Sequence, residues 1–250
     1  AFTAADKVDG GAGTDTLALL GTYNLTLGAS TLSGIETFSL LSGTAAGGSG
    51  HVTYSITTVD ANVPAGGRLT VYAGGLLSDE TLLFDGHAET DGALSVYGGA
   101  ANDIIAGGPA SDAFVGGAGD DQLYGLGGND WLEGGLGADT LRGGLGSDLF
   151  VYKSAAESTT GSIDHIVDFE DMTDLINLSA IDADTNMAGD QAFSFIGTNA
   201  FSHTAGELRI TGSGSNWFVE GDINGDGLAD LVIQVDNFRG GALLARDFML

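Results

Sequence analysis

The chain has no cysteine, two prolines and seven basic side chains in 250 residues. Each shortage removes a class of explanation. Without cysteine there is no disulfide framework, no thiolate zinc site and no thiol catalysis. With Lys7 and Lys153 as the only lysines and five scattered arginines, no clustered positive surface meets the phosphates of nucleic acid or an anionic membrane. No apolar run reaches the roughly 18 residues that a bilayer span requires, so no transmembrane segment is expected. No basic-then-apolar leader opens the sequence at Ala1-Phe2-Thr3, so no N-terminal signal peptide is expected either. Two prolines without a Gly-X-Y period exclude a collagen-like helix.

What is abundant is glycine, at 43 residues, and acid, at 34 residues, for a formal net charge of -27. A hydrophobic share of 43% is too high for a disordered chain. The composition describes a folded protein with many tight turns and far more negative charge than its own cations balance. That pairing points to bound metal cations.

From Gly98 to Val151 the sequence falls into six consecutive nine-residue blocks: GGAANDIIA, GGPASDAFV, GGAGDDQLY, GLGGNDWLE, GGLGADTLR and GGLGSDLFV. The sixth position is always aspartate: Asp103, Asp112, Asp121, Asp130, Asp139 and Asp148. The eighth is always apolar: Ile105, Phe114, Leu123, Leu132, Leu141 and Phe150. Glycines in the first half of a block allow positive φ and let backbone carbonyls crowd together. Aspartate adds a charged oxygen, and calcium takes about six to eight oxygen ligands. The last three residues extend as a short strand that turns the eighth side chain inward.

Two blocks complete one coil, so each loop stacks on the loop 18 residues later. An ion between stacked loops would use the pairs Asp103/Asp121, Asp112/Asp130, Asp121/Asp139 and Asp130/Asp148. The carbonyls of Gly116, Gly119, Gly125, Gly127, Gly134, Gly137, Gly143 and Gly146 complete the expected ligand set. Ala101 and Pro109-Ala110 depart from the pattern, which makes the first two loops the weakest. The alternative, aspartates that merely cap turns, leaves stacked carboxylates repelling one another along the whole array. The nonapeptide resembles the calcium-binding parallel β-helix repeat of RTX proteins.

The flanks are less regular. One further block, GGAGTDTLA at Gly10–Ala18, places Asp15 in the sixth position as a candidate ligand, with no partner 18 residues later. Between Thr16 and Tyr97 the runs TLALL, YNLTL, ETFSL, VTYSITTV, RLTVYA, ETLLF and ALSVY read as short strands. They predict a β-solenoid with coils of uneven length, a separate β-sandwich being the competing assignment. After Val151 helical turns are expected over Leu178–Asp184. FSFIG, GELRIT, NWFVEGD and DLVIQV are expected as antiparallel strands that close the end of the roll. In DINGDGLAD the oxygens of Asp222, Asn224, Asp226 and Asp230, with the Leu228 carbonyl, form a candidate calcium loop. Ile233 stands where an EF-hand needs glutamate, so the loop reads as a hairpin calcium loop or as an Asx-rich hairpin without metal.

FVYKSAAES, IDHIVDFEDMTDLINLSAIDAD, FSFIG, AGELRI, GDINGDGLADLVIQV and RDFML together resemble the C-terminal module of serralysin-type secreted metalloproteases over roughly Asp148–Leu250. The resemblance implies a module that follows a calcium roll and ends in an uncleaved type I secretion signal, here Asp247-Phe248-Met249-Leu250. The upstream half, on phrases such as LSGIETFSL, resembles the solenoids of large RTX surface or S-layer-like proteins.

No catalytic constellation is visible. A zinc protease needs two histidines four residues apart on a helix, but His51, His87, His165 and His203 are dispersed, and HAETD lacks the second histidine. There is no G-x-S-x-G elbow, and carboxylates are too numerous to single out a glycosidase pair. His165 reads as a structural or surface residue, and Trp131 and Trp217 as packing or surface coverage.

The expected fold is all-β: a right-handed parallel β-roll or β-solenoid with a C-terminal antiparallel β cap. Its divisions are 1–97 irregular solenoid, 98–151 calcium roll and 152–250 cap. The expected function is a secreted calcium-binding protein, structural, cell-surface or secretory, with no catalysis of its own. The rivals are the tail of an exoenzyme and a polysaccharide-binding module, which needs an exposed aromatic groove. Expected partners are calcium, the type I secretion machinery, and cell-surface glycan or further copies of the chain.

Overall fold

In the computed structural model, which describes residues 2–45, 51–238 and 241–250, glycine-rich turns break the chain into short strands that coil between two long sheets. One sheet has eleven strands and the other nine, and nearly all pairings are parallel. Through the nonapeptide array the register is 18 residues on both sides. Ile105 lies beside Leu123 and Leu123 beside Leu141 in one sheet. Phe114 lies beside Leu132 and Leu132 beside Phe150 in the other. These six side chains have no exposed surface and form the inner columns of the roll. Each such burial is worth about 1.5–3 kcal/mol, repeated at every coil.

Upstream the same sheets continue with uneven coils. Leu17 pairs with Phe38, Phe38 with Val71, Val71 with Val96 and Val96 with Phe114. The solenoid is therefore one body with the roll, and the sandwich alternative falls. A small parallel pair, Val8–Asp9 with Leu32–Ser33, sits beside the first coil.

Downstream, Asp164–Ile166 and Leu175–Asn177 each extend one sheet by a further parallel strand. Leu231–Val235 then stacks parallel on Asp164–Ile166 and antiparallel on Asn216–Asp222, which pairs antiparallel with Glu207–Ser213. The cap differs from expectation in two places. FSFIG contributes Ser194–Phe195 in parallel, not antiparallel, to Glu207–Leu208. Leu178–Asp184 forms a turn closed by the Ile181 N–H on the Leu178 carbonyl (3.0 Å) and no helix. Asp182 and Asp184 accept the N–H groups two residues ahead of them, which draws the backbone out of a helical ladder. The C-terminal Phe248–Met249 is the last strand of the nine-stranded sheet, paired with Leu175–Asn177. No helix among the described residues is long and apolar enough to cross a membrane.

Candidate metal centre

Each sixth-position aspartate sits at the corner where a glycine turn enters a strand, and its side chain points inward. Its Oδ1 accepts the backbone N–H of the residue one coil earlier. Asp121 takes the Asp103 N–H (2.7 Å) and Asp139 the Asp121 N–H (2.7 Å). On the opposite corner Asp130 takes the Asp112 N–H (2.8 Å) and Asp148 the Asp130 N–H (2.9 Å). The strands alternate between sheets, so the aspartates form two ladders, one along each edge of the roll.

The ladders run beyond the repeat. Asp164 accepts the Asp139 N–H and Asp174 the Asp148 N–H, both at 2.9 Å. Both residues are buried. The nine-residue period ends with the block of Asp148, but Asp164-His165-Ile166 and Asp174-Leu175-Ile176 keep its sixth-to-eighth spacing of acid and core residue. There is also a second ladder. The fifth-position side chains reach the other way: Asn102 accepts the Asp120 N–H, Ser111 the Asn129 N–H, Asp120 the Ala138 N–H and Asn129 the Ser147 N–H. Its legible sign is the run Asn, Ser, Asp, Asn, Ala, Ser at that position.

The second carboxylate oxygen distinguishes the rungs. At three of the four ladder ends it is satisfied by backbone: Asp103 takes Gly99 N–H, Asp112 takes Gly108 N–H and Asp174 takes Glu170 N–H. On the inner rungs Asp121, Asp130, Asp139 and Asp148, and at the fourth end, Asp164, Oδ2 is buried with no partner. Burial, with the charge of neighbouring rungs added, pushes Asp121 and Asp130 up to about 8. Burial likewise raises Asp164 to about 8 and Asp139 to about 6. Anionic oxygens left dry and unpaired are costly, so this donor set calls for a cation.

The space in front of these oxygens is kept clear by glycine. A Cβ on Gly116 would meet both Asp121 Oδ2 and the Gly134 carbonyl, and one on Gly125 both Asp130 Oδ2 and the Gly143 carbonyl. Gly134 and Gly143 stand in the same way against Asp139 and Asp148. Gly119, Gly137 and Gly146 take positive φ and lie against the coil before. In the fourth block Gly128 fills that stacked place with φ +104°, and Gly127 is a strand residue beside Leu145. Hard oxygen donors, carboxylate and carbonyl, converge on a gap that only glycine leaves open. They fit calcium.

Asp15 is not isolated. Its N–H donates to Glu36 Oε2 (2.9 Å), so a glutamate 21 residues on makes its rung, and Asp15 Oδ2 is again buried without a partner. In the cap loop Asp222 is buried and accepts the N–H groups of Gly225 (2.7 Å) and Gly227 (2.8 Å). Asn224 accepts the Asp226 N–H, Asp226 the Leu228 N–H, and Asp230 the Ile223 N–H. The histidines are engaged one by one: His51 with Asp79, His87 with Asp85, His165 with Asp236 and His203 with the Asp226 carbonyl.

Scanned against protein-family models, the chain matches the peptidase M10 serralysin C terminal over residues 65–250. It also matches the RTX calcium-binding nonapeptide repeat (4 copies) over residues 3–19. The first match takes in the whole nonapeptide array as well as the motifs after Asp148, and the second contains the Asp15 loop. A search of curated proteins finds no match.

Proposed function

The chain belongs to the peptidase M10 serralysin C-terminal family and carries RTX calcium-binding nonapeptide repeats, and on that premise we propose that it is a secreted module whose fold is switched on by calcium, with no catalysis of its own. The carrying observation is the row of buried, unpaired Oδ2 atoms on Asp121, Asp130, Asp139, Asp148 and Asp164. Asp121, Asp139 and Asp164 would hold ions along one edge and Asp130 and Asp148 along the other, with glycine carbonyls from the adjoining coils. Asp103 and Asp112 close the ladders at their upstream ends. Asp15 with Glu36 forms a separate site at the start of the solenoid, and the Asp222–Asp230 loop another in the cap. When bound, calcium supplies the positive charge that these carboxylates otherwise lack.

Metal binding is then folding free energy. Extracellular modules bind calcium at about 10⁻⁴–10⁻³ M, so the roll would stay unfolded at cytosolic calcium and fold outside. An unfolded chain suits passage through a type I export channel, with Asp247–Leu250 as the signal. Circular dichroism in EGTA and after calcium is restored tests the switch. Full β-structure with unchanged thermal stability in EGTA would refute it.

A second reading, glycan binding at the cell surface, is supported by one feature. On the outer face of the nine-stranded sheet Tyr72 and Tyr97 stack at 5.0 Å. Beside them an open groove is lined by Tyr97, Trp131, Glu133 and Lys153. Flat exposed rings flanked by paired charges suit a sugar face. Affinity electrophoresis in polysaccharide gels, comparing the native chain with Trp131→Ala, tests it. Equal mobility across the polysaccharides would remove this reading.

A further inference from the structure

The turn before the regular roll breaks the repeat's rule and restores its chemistry by another route. At the corner where a regular loop carries aspartate, the turn Gly86–Leu94 carries Leu94. The Leu94 N–H still donates to Asp112 Oδ1 (2.7 Å), but its side chain is buried in the core. That turn has nine residues where Gly107–Asp112 has six, and the added length folds Glu89 back inside.

Glu89 has no exposed surface. Its Oε1 accepts the N–H groups of Gly92 (3.0 Å) and Thr90 (3.1 Å), while Oε2 has no partner. Two exposed acids stand over it: Asp91 from the same turn and Asp60 from the turn one coil earlier. One carboxylate oxygen from each of the three lies within 4.8 Å of the others. Among the described residues none of the three forms an ion pair.

Glu80 shows what a buried acid looks like when it needs nothing further. It also has almost no exposed surface (1%), but its Oε1 accepts the Gly43 N–H (2.7 Å) and its Oε2 the Leu77 N–H (2.9 Å). Glu80 plugs its turn with both oxygens paired. Glu89 keeps one oxygen buried and unpaired in a cluster with two further carboxylates.

We propose that Asp60, Glu89 and Asp91 form a calcium site separate from the nonapeptide loops. Three carboxylates without nitrogen or sulfur donors select a hard divalent cation. Two exposed ligands over one buried ligand leave room for water to complete the shell. The site ties the turns of two successive coils, which already meet through the Thr90 N–H on Asp60 Oδ1 (3.1 Å) and the Gly66 N–H on the Asp91 carbonyl (3.0 Å). It fastens the irregular solenoid where the repeat supplies no aspartate.

The test is a crystal structure of the full chain grown in calcium, with anomalous scattering to locate ions. The expected result is an ion about 2.3–2.6 Å from Glu89 Oε2, with Asp60 and Asp91 in its shell. Filled nonapeptide loops beside an empty Glu89 pocket would overturn the proposal, whereas an ion at Glu89 beside empty loops would overturn only the reading of the roll. In solution, equilibrium dialysis against calcium should give one ion fewer for Glu89→Gln than for the native chain, with the β-sheet dichroism retained. Should that variant fail to fold, the exposed pair Asp60→Asn/Asp91→Asn carries the same measurement. An unchanged calcium count in the variant that folds overturns the site.

Discussion

At the residue scale the roll depends on positions where a single Cβ is forbidden. Gly135 has φ +103°, and a Cβ there would collide with the Gly117 carbonyl of the coil before. Gly135→Ala is expected to cost about 2 kcal/mol or more, read as a fall in thermal midpoint in calcium. Leu126 occupies the same place in the neighbouring block with φ +75° and is 41% exposed. Leu126→Gly gives up about 1–2 kcal/mol of left-handed strain and takes on about 0.5–1 kcal/mol of glycine entropy. Its midpoint should rise slightly or hold; a fall as large as that of Gly135→Ala would contradict the strain argument. Asp130→Asn should act in opposite directions in the two states. It removes from the cation-free fold a carboxyl that burial holds at about 8, and with it the cost of keeping that group protonated at neutral pH, and it removes a ligand from the calcium-bound fold. Urea titrations in EGTA and in calcium should therefore shift in opposite senses.

At the scale of the element, the aspartate ladder makes folding a proton-linked event. Asp121, Asp130 and Asp164 sit near 8 in the folded chain and Asp103, Asp112, Asp139 and Asp174 near 6, against an ordinary value of 3.8. Between about pH 4 and pH 8 the cation-free fold therefore holds more protons than the unfolded chain, and its stability falls as pH rises across that window. In EGTA the protein should be more folded near pH 5.5 than near pH 8. Calcium competes with those same protons for the folded chain, so the dissociation constant of calcium from the folded chain should rise as pH falls, while the calcium needed to reach the folding midpoint should not rise. A cation-free chain that becomes more stable toward pH 8 would contradict the burial of these groups. Some of this ladder was readable in advance, because Asp and core residue recur at fixed positions through six blocks. Asp164 and Asp174 carry only the local acid-to-core spacing, since longer connections separate them from the array and the stacked coil is what brings them onto its rungs.

At the scale of the molecule, the C-terminal tail is part of the fold as well as a candidate signal. Phe248 is 7% exposed and packs on Phe195 with ring centroids 5.4 Å apart, while Met249 receives the Leu178 N–H. As a candidate export signal, the tail predicts that removing Arg246–Leu250 abolishes export. The structure adds a cost of about 1.5–3 kcal/mol for the lost Phe248 burial, besides an exposed strand edge at Leu175–Asn177. The truncated chain should still fold with calcium but melt at a lower temperature. An unchanged midpoint would mean that the terminal strand contributes nothing.

The sequence alone determined the repeat, the inward eighth position, the two-block coil and the need for cations, because each follows from a strict nine-residue period and a charge of -27. It also determined that the chain offers no thiol chemistry and no basic surface. Only the tertiary structure decided which carboxylate oxygens remain unpaired. An aspartate of the same type at the same repeat position is satisfied by Gly99 N–H at Asp103 and left bare at Asp121. Nor was the rung between Asp15 and Glu36, or the meeting of Asp60 with Glu89 and Asp91, legible in one dimension. Those neighbours are set by coils of irregular length, and only stacking fixes which turn lies above which.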